Sequence, residues 1–390
     1  MKTTTSRRSF LSASLSASVH VPVVGAAASQ SPAAPGKPQY RVLGKTGLKV
    51  SALGFGCMTT SDSTVIERAA DMGINYFDTA RSYQNGNNER MVGTALKGKR
   101  TSVVISSKTP AKTKQEALAD LETSLRELQT DHLDIWYLHN RSTAAEVTDD
   151  LLEAQRIAKR DGKIRFAGVS THFNMPEMLE HLVKRGQTDV TLASYNFTMK
   201  PEVASAIQKA RDAGMGVVAM KVLAGGLSRI QRGDRLYGVN PESLTNTLKR
   251  DGAMLAAIKW ALKNKSVDTA IVCMTDADQL QDNFQAMSQP FSVHDEQLLA
   301  AQLAAITPLY CRMCGACGGV CERGVPVSDV LRILTYAEGY REFPLARERF
   351  LELPQSVRGT RCEDCVSCSV RCPNGVRVRD RLVRAQSWFA

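Results

Sequence analysis

Apolar residues recur along most of the chain in short runs separated by longer segments of mixed polarity. Eight such runs are rich in β-branched and other apolar side chains, and each is followed by a segment long enough for a helix. The runs span residues 51–55, 74–78, 102–106, 133–138, 165–169, 190–194, 216–220 and 269–273. This alternation is typical of strands and helices that build a parallel sheet.

The segments between the runs have helical spacing. A helix is predicted over 115–128, where one face carries Leu118, Leu121, Leu125 and Leu128. Eight strand–helix units over about 250 residues match a (β/α)8 barrel, or TIM barrel, better than an open sheet. We therefore predict an α/β barrel over residues 39–306, which opens with a hairpin at 40–50 and ends with a helix near 294–305.

Two other segments depart from this rhythm. A long connection at 223–250 follows the seventh run, and loops of that length in compact domains are usually binding loops or lids. After Pro308 a smaller domain is predicted over 308–390. It is expected to be mainly helical, since helical spacing relates Val330, Ile333, Leu334 and Ala337.

The first residues have the composition of a targeting segment. Lys2 and the pair Arg7-Arg8 precede Phe10-Leu11 and a weakly apolar stretch of small residues. This order resembles a twin-arginine export signal over residues 1–28, so we expect a periplasmic or extracytoplasmic protein. The alternative is a disordered basic tail. A proline-containing linker follows at 29–38, and no apolar run approaches the roughly 20 residues of a transmembrane anchor.

The chain carries a formal net charge of +11. Without Lys2, Arg7 and Arg8, 47 basic residues exceed the 39 acidic ones by eight. A basic balance raises the question of nucleic acid binding. The sequence has no block of Lys and Arg, no zinc-finger spacing and no basic stripe interleaved with aromatics, so we expect no nucleic-acid partner.

Eight of the ten cysteines form two runs of identical spacing near the C-terminus. Each run has the pattern Cys-x2-Cys-x2-Cys-x3-Cys, and the second continues with Pro373, as in bacterial ferredoxins. The predicted iron ligands are Cys311, Cys314, Cys317, Cys321, Cys362, Cys365, Cys368 and Cys372. In the ferredoxin pattern the fourth cysteine of each run ligates the other cluster, so Cys372 would complete the first cluster and Cys321 the second.

Two other readings of these cysteines remain open. An exported chain could use them as a disulfide framework, and a zinc site is a further alternative, although two runs of four exceed what tetrahedral zinc needs. Two [4Fe-4S] clusters fit the spacing best. Cys57 and Cys273 lie outside both runs and are expected to be buried, inert thiols.

Four polar residues follow the ends of three consecutive strands, where the active sites of such barrels lie. They are Asp78, Tyr83, Lys108 and His139. These types suit proton transfer to a carbonyl oxygen as a hydride reaches its carbon. An ammonium at Lys108, held by Asp78, would lower the pKa of the Tyr83 phenol, and His139 could hydrogen-bond the substrate oxygen.

The segments Asp78-Thr79-Ala80 with Tyr83, Ser106-Ser107-Lys108 and Tyr137-Leu138-His139 resemble the catalytic tetrad of the aldo/keto reductases. The opening stretch at 40–50 is also similar to that family's N-terminal hairpin. The resemblance runs from about residue 39 to 306. It implies a TIM barrel, a nicotinamide cofactor bound without a Rossmann fold, and reduction of aldehydes or ketones.

The resemblance also implies a set of cofactor-binding residues, in part substituted. Thr171, Leu192 and Met220 stand where the family has asparagine, glutamine and a stacking tyrosine, which implies a weakened nicotinamide pocket. The predicted cofactor-binding residues are Ser170, Met220, Lys221, Gly225, Gly226, Thr275, Gln279 and Asn283. Asp276 lies where a 2′-phosphate would bind, which keeps NAD(H) at least as plausible as NADP(H); alternatively it only caps the helix.

Together these features predict an exported oxidoreductase that acts on a small carbonyl or alcohol and also holds two iron–sulfur clusters. A redox partner protein is a further expectation, because clusters pass one electron at a time. The chief alternative is a non-catalytic barrel that serves as the scaffold of an electron-transfer subunit. A redox sensor is the third.

Overall fold

The computed structural model describes residues 36–229 and 252–390 of the chain. The predicted signal peptide at 1–28, most of the linker at 29–38 and most of the loop at 223–250 lie outside the described residues. No helix within the two described ranges is long and apolar enough to cross a lipid bilayer.

Eight parallel strands close into a barrel in chain order. A hairpin of two antiparallel strands, β1 (Tyr40–Val42) and β2 (Lys49–Ser51), precedes it. The barrel strands are β3 (Leu53–Gly56), β4 (Tyr76–Asp78), β5 (Val104–Thr109), β6 (Leu133–Leu138), β7 (Ile164–Thr171), β8 (Val190–Ser194), β9 (Gly216–Met220) and β10 (Thr269–Cys273). Because β10 pairs with β3, the sheet has no free edge, and the predicted barrel is confirmed.

Helices surround the barrel and connect its strands. They are α1 (Ser63–Asp71), α2 (Asn87–Leu96), α3 (Lys114–Glu127), α4 (Asp149–Arg160), α5 (Met175–Arg185), α6 (Pro201–Asp212), α7 (Ala253–Lys263), α8 (Ala277–Phe284) and α9 (Val293–Ile306). Helix α3 shows why such helices form: Thr113 and Glu116 make a capping box, and Leu121 is fully buried against the barrel. Burying one leucine contributes about 1.5–3 kcal/mol.

Large side chains fill the inside of the barrel. Tyr76 and Tyr137 are fully buried there, and their hydroxyls lie 2.9 Å apart. Gly168 on β7 allows this packing, because a Cβ atom at this position would lie 2.3 Å from the Tyr137 ring. The interior is therefore a packed core, and the space for a ligand lies beyond the strand ends.

The C-terminal segment forms helices of its own. They are α10 (Val327–Glu338), α11 (Phe343–Leu351), α12 (Gln355–Arg358) and α13 (Val378–Phe389). Val330, Leu334, Phe350, Leu382 and Phe389 form part of a core separate from that of the barrel. The predicted mainly helical segment is thus present as a layer with its own apolar centre.

Helices α10 and α11 lie across the carboxyl ends of the barrel strands. The loop after β9 meets α10 so closely that a Cβ atom at Gly339 would lie 1.6 Å from the carbonyl oxygen of Gly225. Arg349 of α11 donates to the carbonyl of Ser82 at 3.3 Å. Barrel and C-terminal segment therefore belong to one compact unit, and the segment covers the barrel mouth.

Candidate active site

The pairing of strands β4 to β6 brings two of the predicted catalytic residues together. Asp78 ends β4 beside Ser106 of β5, and Lys108 of β5 lies beside Tyr137 of β6. The ammonium of Lys108 donates to Asp78 Oδ2 at 2.5 Å and to the Thr79 carbonyl at 2.6 Å. A fixed register of parallel strands therefore produces a buried ion pair from residues that lie 30 positions apart.

Tyr83 completes this group from the turn after β4. Its hydroxyl accepts a hydrogen bond from Lys108 Nζ at 3.2 Å. The ring of His139, which follows β6, lies edge-on to the Tyr83 ring with centroids 5.9 Å apart. All four predicted catalytic residues thus meet at one side of the barrel mouth, where a substrate oxygen can approach both Tyr83 and His139.

The effect expected of Lys108 on Tyr83 is wrong for this arrangement. Burial raises the pKa of Tyr83 well above its ordinary value, and the nearby carboxylate of Asp78 raises it further. Lys108 is close enough to act, yet its charge is largely neutralised by Asp78. Burial also raises the pKa of Asp78, against the opposing influence of Lys108. Tyr83 is therefore a phenol that keeps its proton.

Two histidines face the same space and are held in the neutral form. Burial lowers the pKa of His139 well below the ordinary value, and the charge of Lys108 lowers it further. His172, after β7, is affected in the same way by burial and by Lys221, and its Nδ1 lies 3.3 Å from Ser194 Oγ. Neutral imidazoles can donate a hydrogen bond to a carbonyl oxygen without adding charge.

A cavity of about 700 Å³ opens above these residues. Its floor is formed by strand ends that carry Asp78, Met220 and Ile271, and its other wall by Arg332 and Tyr336 of helix α10. The volume falls in the range of ligand sites. The cavity is therefore built jointly by the barrel and by the C-terminal segment.

The predicted cofactor residues near the barrel centre have mixed roles. Met220 and Lys221 line the cavity at the end of β9, and burial lowers the pKa of Lys221. Ser170 is buried in β7, and its hydroxyl accepts a hydrogen bond from the backbone N–H of Asn140 at 2.8 Å. Ser170 thus supports the loop that carries His139.

The residues predicted to bind the phosphates of the nucleotide are in contact with other parts of the protein. Gly225 packs against Thr335 and Tyr310, and Gly226 against Gly339, so helix α10 covers this loop. Asp276 caps helix α8 by accepting from Gln279 N at 2.8 Å, and the Gln279 side chain bonds Thr275 at 2.9 Å. The capping role of Asp276 is confirmed, and its effect on a 2′-phosphate stays a prediction.

Asn283 provides a test of whether these residues fit a nucleotide. Its side chain is 2% exposed, and its Nδ2 has no hydrogen-bond acceptor within the described ranges. A buried amide N–H without a partner costs free energy, so a ligand acceptor at this position is favourable. The apolar floor at Met220 and Ile271 fits a nicotinamide ring over the ends of β9 and β10, whereas Asn283 lies on α8 outside the lining of the cavity.

The thiols of the two cysteine runs gather in two groups. Burial raises the pKa of Cys311 to about 12, with further increases from Cys317, Cys314 and Cys372. Burial likewise raises the pKa of Cys362 to about 11, with contributions from Cys321, Cys365 and Cys368. Each group includes thiols from both runs, and that these groups hold iron stays a prediction. All ten cysteines are free thiols.

The two runs lie side by side through Gly318 and Arg371, which exchange backbone hydrogen bonds of 2.9 and 2.8 Å. Within the described ranges, no three His, Cys, Asp or Glu side chains converge on a point that could hold a single metal ion. Outside the runs, Cys57 is fully buried as expected, whereas Cys273 is only partly buried and lines the cavity.

Several cavity residues were missed by reasoning from the sequence, namely His172, Arg332, Tyr336, Tyr340 and Arg349. Four of them belong to the C-terminal segment. Arg332 and Tyr336 are spaced i, i+4 and share the helix face opposite the apolar stripe, which gives a partial signal. That this face covers a barrel mouth required the tertiary structure.

The comparisons with known proteins agree with this geometry. A model described as the aldo/keto reductase family matches residues 52–301. L-galactose dehydrogenase of Arabidopsis thaliana is 25% identical over 304 residues, which cover 69% of this chain and 94% of that protein. L-glyceraldehyde 3-phosphate reductase of Escherichia coli O157:H7 is 27% identical over 311 residues, which cover 65% and 88%.

Among solved structures, an aldo-keto reductase of Bacillus halodurans in its holo form is similar, with a TM-score of 0.59 and 27% sequence identity. The match covers 68% of this chain and 96% of that structure. The family model spans more than half of the residues and includes the tetrad. The chain therefore belongs to the aldo/keto reductase family and is an NAD(P)-dependent oxidoreductase.

Proposed function

We propose that the protein is an exported oxidoreductase that reduces an aldehyde or ketone, or oxidises the corresponding alcohol, and that it carries two [4Fe-4S] clusters. The observation that carries the catalytic part is the contact of Lys108 with both Asp78 and Tyr83 beside His139. A purely structural barrel has no need of a buried ion pair that touches a tyrosine at the open end of the strands.

In this proposal Tyr83 Oη donates a proton to the substrate oxygen, and His139 orients that oxygen by a hydrogen bond. Lys108 holds the Tyr83 hydroxyl in place by its hydrogen bond of 3.2 Å. Asp78 fixes the ammonium, because it accepts from Lys108 and from Ser106 Oγ at 2.7 Å. A bound nicotinamide would supply the hydride, or accept it in the reverse direction.

The residues suited to hold that nicotinamide are Met220, Lys221 and Ile271 at the strand ends. NADH and NADPH both remain candidates. The relatives are named as a dehydrogenase of L-galactose and a reductase of L-glyceraldehyde 3-phosphate, so the proposal includes both directions of the reaction.

The iron–sulfur part rests on the two groups of four thiols. A cubane cluster binds each thiolate through a different iron atom, so its ligands stand apart by the width of the cluster and do not converge on one point. This explains how the groups can suit a cluster although they suit no single ion. Cys311, Cys314, Cys317 and Cys372 would hold one cluster, and Cys362, Cys365, Cys368 and Cys321 the other.

Export through a twin-arginine route is supported by Arg7-Arg8 and by the need to insert clusters before translocation. Cell fractionation tests it: the protein should appear outside the cytoplasm, and replacing both arginines by lysine should retain it inside. Full export of the double-lysine variant would remove this part of the proposal.

The catalytic part is tested by Tyr83→Phe in anaerobically purified protein, assayed with NADH and NADPH on a panel of aldehydes. Removing the proton donor should lower kcat/KM by about 10²–10⁴-fold, with nucleotide affinity unchanged. Tyr40→Phe, at an exposed hairpin residue that does not line the cavity, is the control and should retain full activity. If the unaltered protein binds nucleotide and reduces no carbonyl, the scaffold hypothesis replaces the enzymatic one.

A further inference from the structure

The inner wall of the cavity is rich in cationic side chains. Arg141, Lys221, Arg332 and Arg349 all line it. The buried carboxylate of the cavity, Asp78, is already paired with Lys108, whereas the other acidic residues that line the cavity, Glu146 and Glu352, are exposed to solvent. Within the described part of the chain, the interior of the cavity therefore has an excess of positive charge.

The three arginines line the same cavity as His139 and Tyr83. Each of them contributes to the lowered pKa of His139, after burial and Lys108, in the order Arg349, Arg332 and Arg141. Since the interaction between charges falls with distance, guanidinium groups that act on His139 also act on a ligand bound beside it.

Two of these arginines are held by partners that a ligand can replace. Arg332 donates to Tyr336 Oη at 2.7 Å and to Asp329 at 3.2 Å, and Asp329 is 45% exposed. Arg349 pairs at 2.7 Å with Glu352, which is 53% exposed. Exposed ion pairs contribute little to stability, so a buried anion competes well for such guanidinium groups.

Arg141 has unused hydrogen-bonding capacity. It is 6% exposed, and one of its Nη atoms donates to the Ala111 carbonyl at 2.6 Å. Its Nε is buried, with no acceptor among the residues that the structure describes. An unpartnered donor on a buried guanidinium favours an anion that enters from the cavity.

Tyr336 gives an independent indication of the positive potential. Burial alone would raise the pKa of this phenol, yet Arg332 and Lys221 bring it down to about 8. The cations of the cavity therefore stabilise the negatively charged form of the Tyr336 phenol.

We propose that Arg332 and Arg349 of the C-terminal helices form an anion-binding subsite with Arg141, and that the carbonyl substrate carries a carboxylate or phosphate group. The inference rests on the proposed carbonyl chemistry of Tyr83 and His139. It makes the C-terminal segment a determinant of substrate choice as well as the carrier of the two cysteine runs.

The position of the subsite within the barrel mouth indicates that its anion belongs to the substrate and not to the nucleotide. Arg141 follows β6 three residues after Leu138, and thus lies beside His139, whereas the floor suited to nicotinamide is on β9 and β10. The nucleotide's own phosphates are the second possible source. Both are anions, so an experiment must separate them.

The test compares 4-formylbenzoate with its methyl ester, using the full chain with its clusters and saturating nucleotide. The unaltered protein should prefer the acid. Arg332→Gln and Arg349→Gln should each lower kcat/KM for the acid by about 10- to 100-fold, and that for the ester by less than about threefold. Arg347→Gln, an exposed site on the same helix as Arg349, should change neither value.

Arg349→Lys addresses the possibility that Arg349 only fastens α11 to the barrel, because it keeps the charge and should keep most of the preference. Nucleotide affinity is measured for every variant. Equal losses for acid and ester, together with weaker nucleotide binding, would assign the arginines to the cofactor phosphates and overturn the proposal. Equal use of acid and ester by the unaltered protein would also overturn it.

Terephthalate carries carboxylates but no aldehyde, so its binding tests the anion-binding subsite independently of carbonyl reduction. Calorimetry should detect binding to the unaltered protein and to Arg347→Gln, and a loss of at least tenfold in affinity in Arg332→Gln and Arg349→Gln. If the protein binds terephthalate but reduces no carbonyl compound, the subsite is supported and the proposed activity is refuted. Reduction of neutral aldehydes without terephthalate binding would refute the subsite alone.

Discussion

At the scale of single residues, the site depends on which buried side chains keep or lose protons. Lys108 and Asp78 are 1% and 2% exposed, and each stabilises the charge of the other. Tyr83 remains a phenol because burial and Asp78 both oppose its ionisation. The proton to be donated is therefore retained until negative charge develops on the substrate oxygen.

His139 allows a prediction about pH. Because burial and the surrounding cations lower its pKa, the neutral imidazole, which predominates above that pKa, should persist as the pH falls from 8 to 6. The pH profile of kcat/KM should then show no decrease near the ordinary histidine pKa of about 6.5. The measurement is a steady-state profile with the full chain. A decrease near 6.5 that disappears in His139→Gln would contradict the prediction.

At the scale of elements, α10 serves two regions at once. Its apolar face, with Val330 and Leu334, packs in the C-terminal core, while Arg332 and Tyr336 on another face line the cavity. The end of α10 is fixed by Glu338, which accepts hydrogen bonds from Arg381 and Arg384 of α13. The position of the cavity wall therefore depends on a buried ionic network whose residues lie nine or more positions along the sequence from any predicted cysteine ligand.

Glu338→Gln should destabilise this segment. The substitution leaves Arg381 and Arg384, each 3% exposed, without their anion, and breaking such buried networks costs about 3–5 kcal/mol. We expect a lower midpoint for unfolding of the C-terminal segment and faster proteolysis there. The same change at Glu348, which is only partly buried on the neighbouring helix, is the control and should alter stability by less than about 0.5 kcal/mol. An unchanged midpoint in Glu338→Gln would show that the network contributes little.

At the scale of the whole molecule, the C-terminal segment covers the barrel and would carry the clusters. The contacts of Arg349 with Ser82 and of Asn174 with the Met313 carbonyl, the latter at 3.0 Å, join the two regions. Met313 lies between two predicted iron ligands. A backbone hydrogen bond thus joins the first cysteine run directly to the loop after β7.

The proposed clusters imply a definite metal content. Anaerobically purified protein should contain about eight iron and eight sulfide per chain, and Cys365→Ser should lower iron to about four while the barrel stays folded. Iron analysis, sulfide assay and circular dichroism measure these outcomes. Cys57→Ala, outside both runs, should leave the iron content unchanged. Zinc in place of iron, or four disulfides by mass, would exclude the clusters.

The sequence by itself determined the order and the type of most elements. Runs of β-branched residues are local signals, and the predicted strands at 190–194, 216–220 and 269–273 coincide with β8, β9 and β10. It also indicated the tetrad, because parallel strands place their carboxyl ends, and hence Asp78, Lys108 and His139, at one edge. The cysteine spacing predicts two iron–sulfur clusters, and this stays a prediction.

Only the tertiary structure decided how these parts act on one another. The raised pKa of Tyr83 depends on burial, which is a sum over neighbours from several strands and cannot be read from one segment. The placement of Arg332 and Arg349 over the barrel mouth depends on how α10 and α11 pack on the loop at Gly225. Local patterns fix where a helix forms and which face is apolar, whereas the partner of its polar face is set by contacts between residues more than a hundred positions apart.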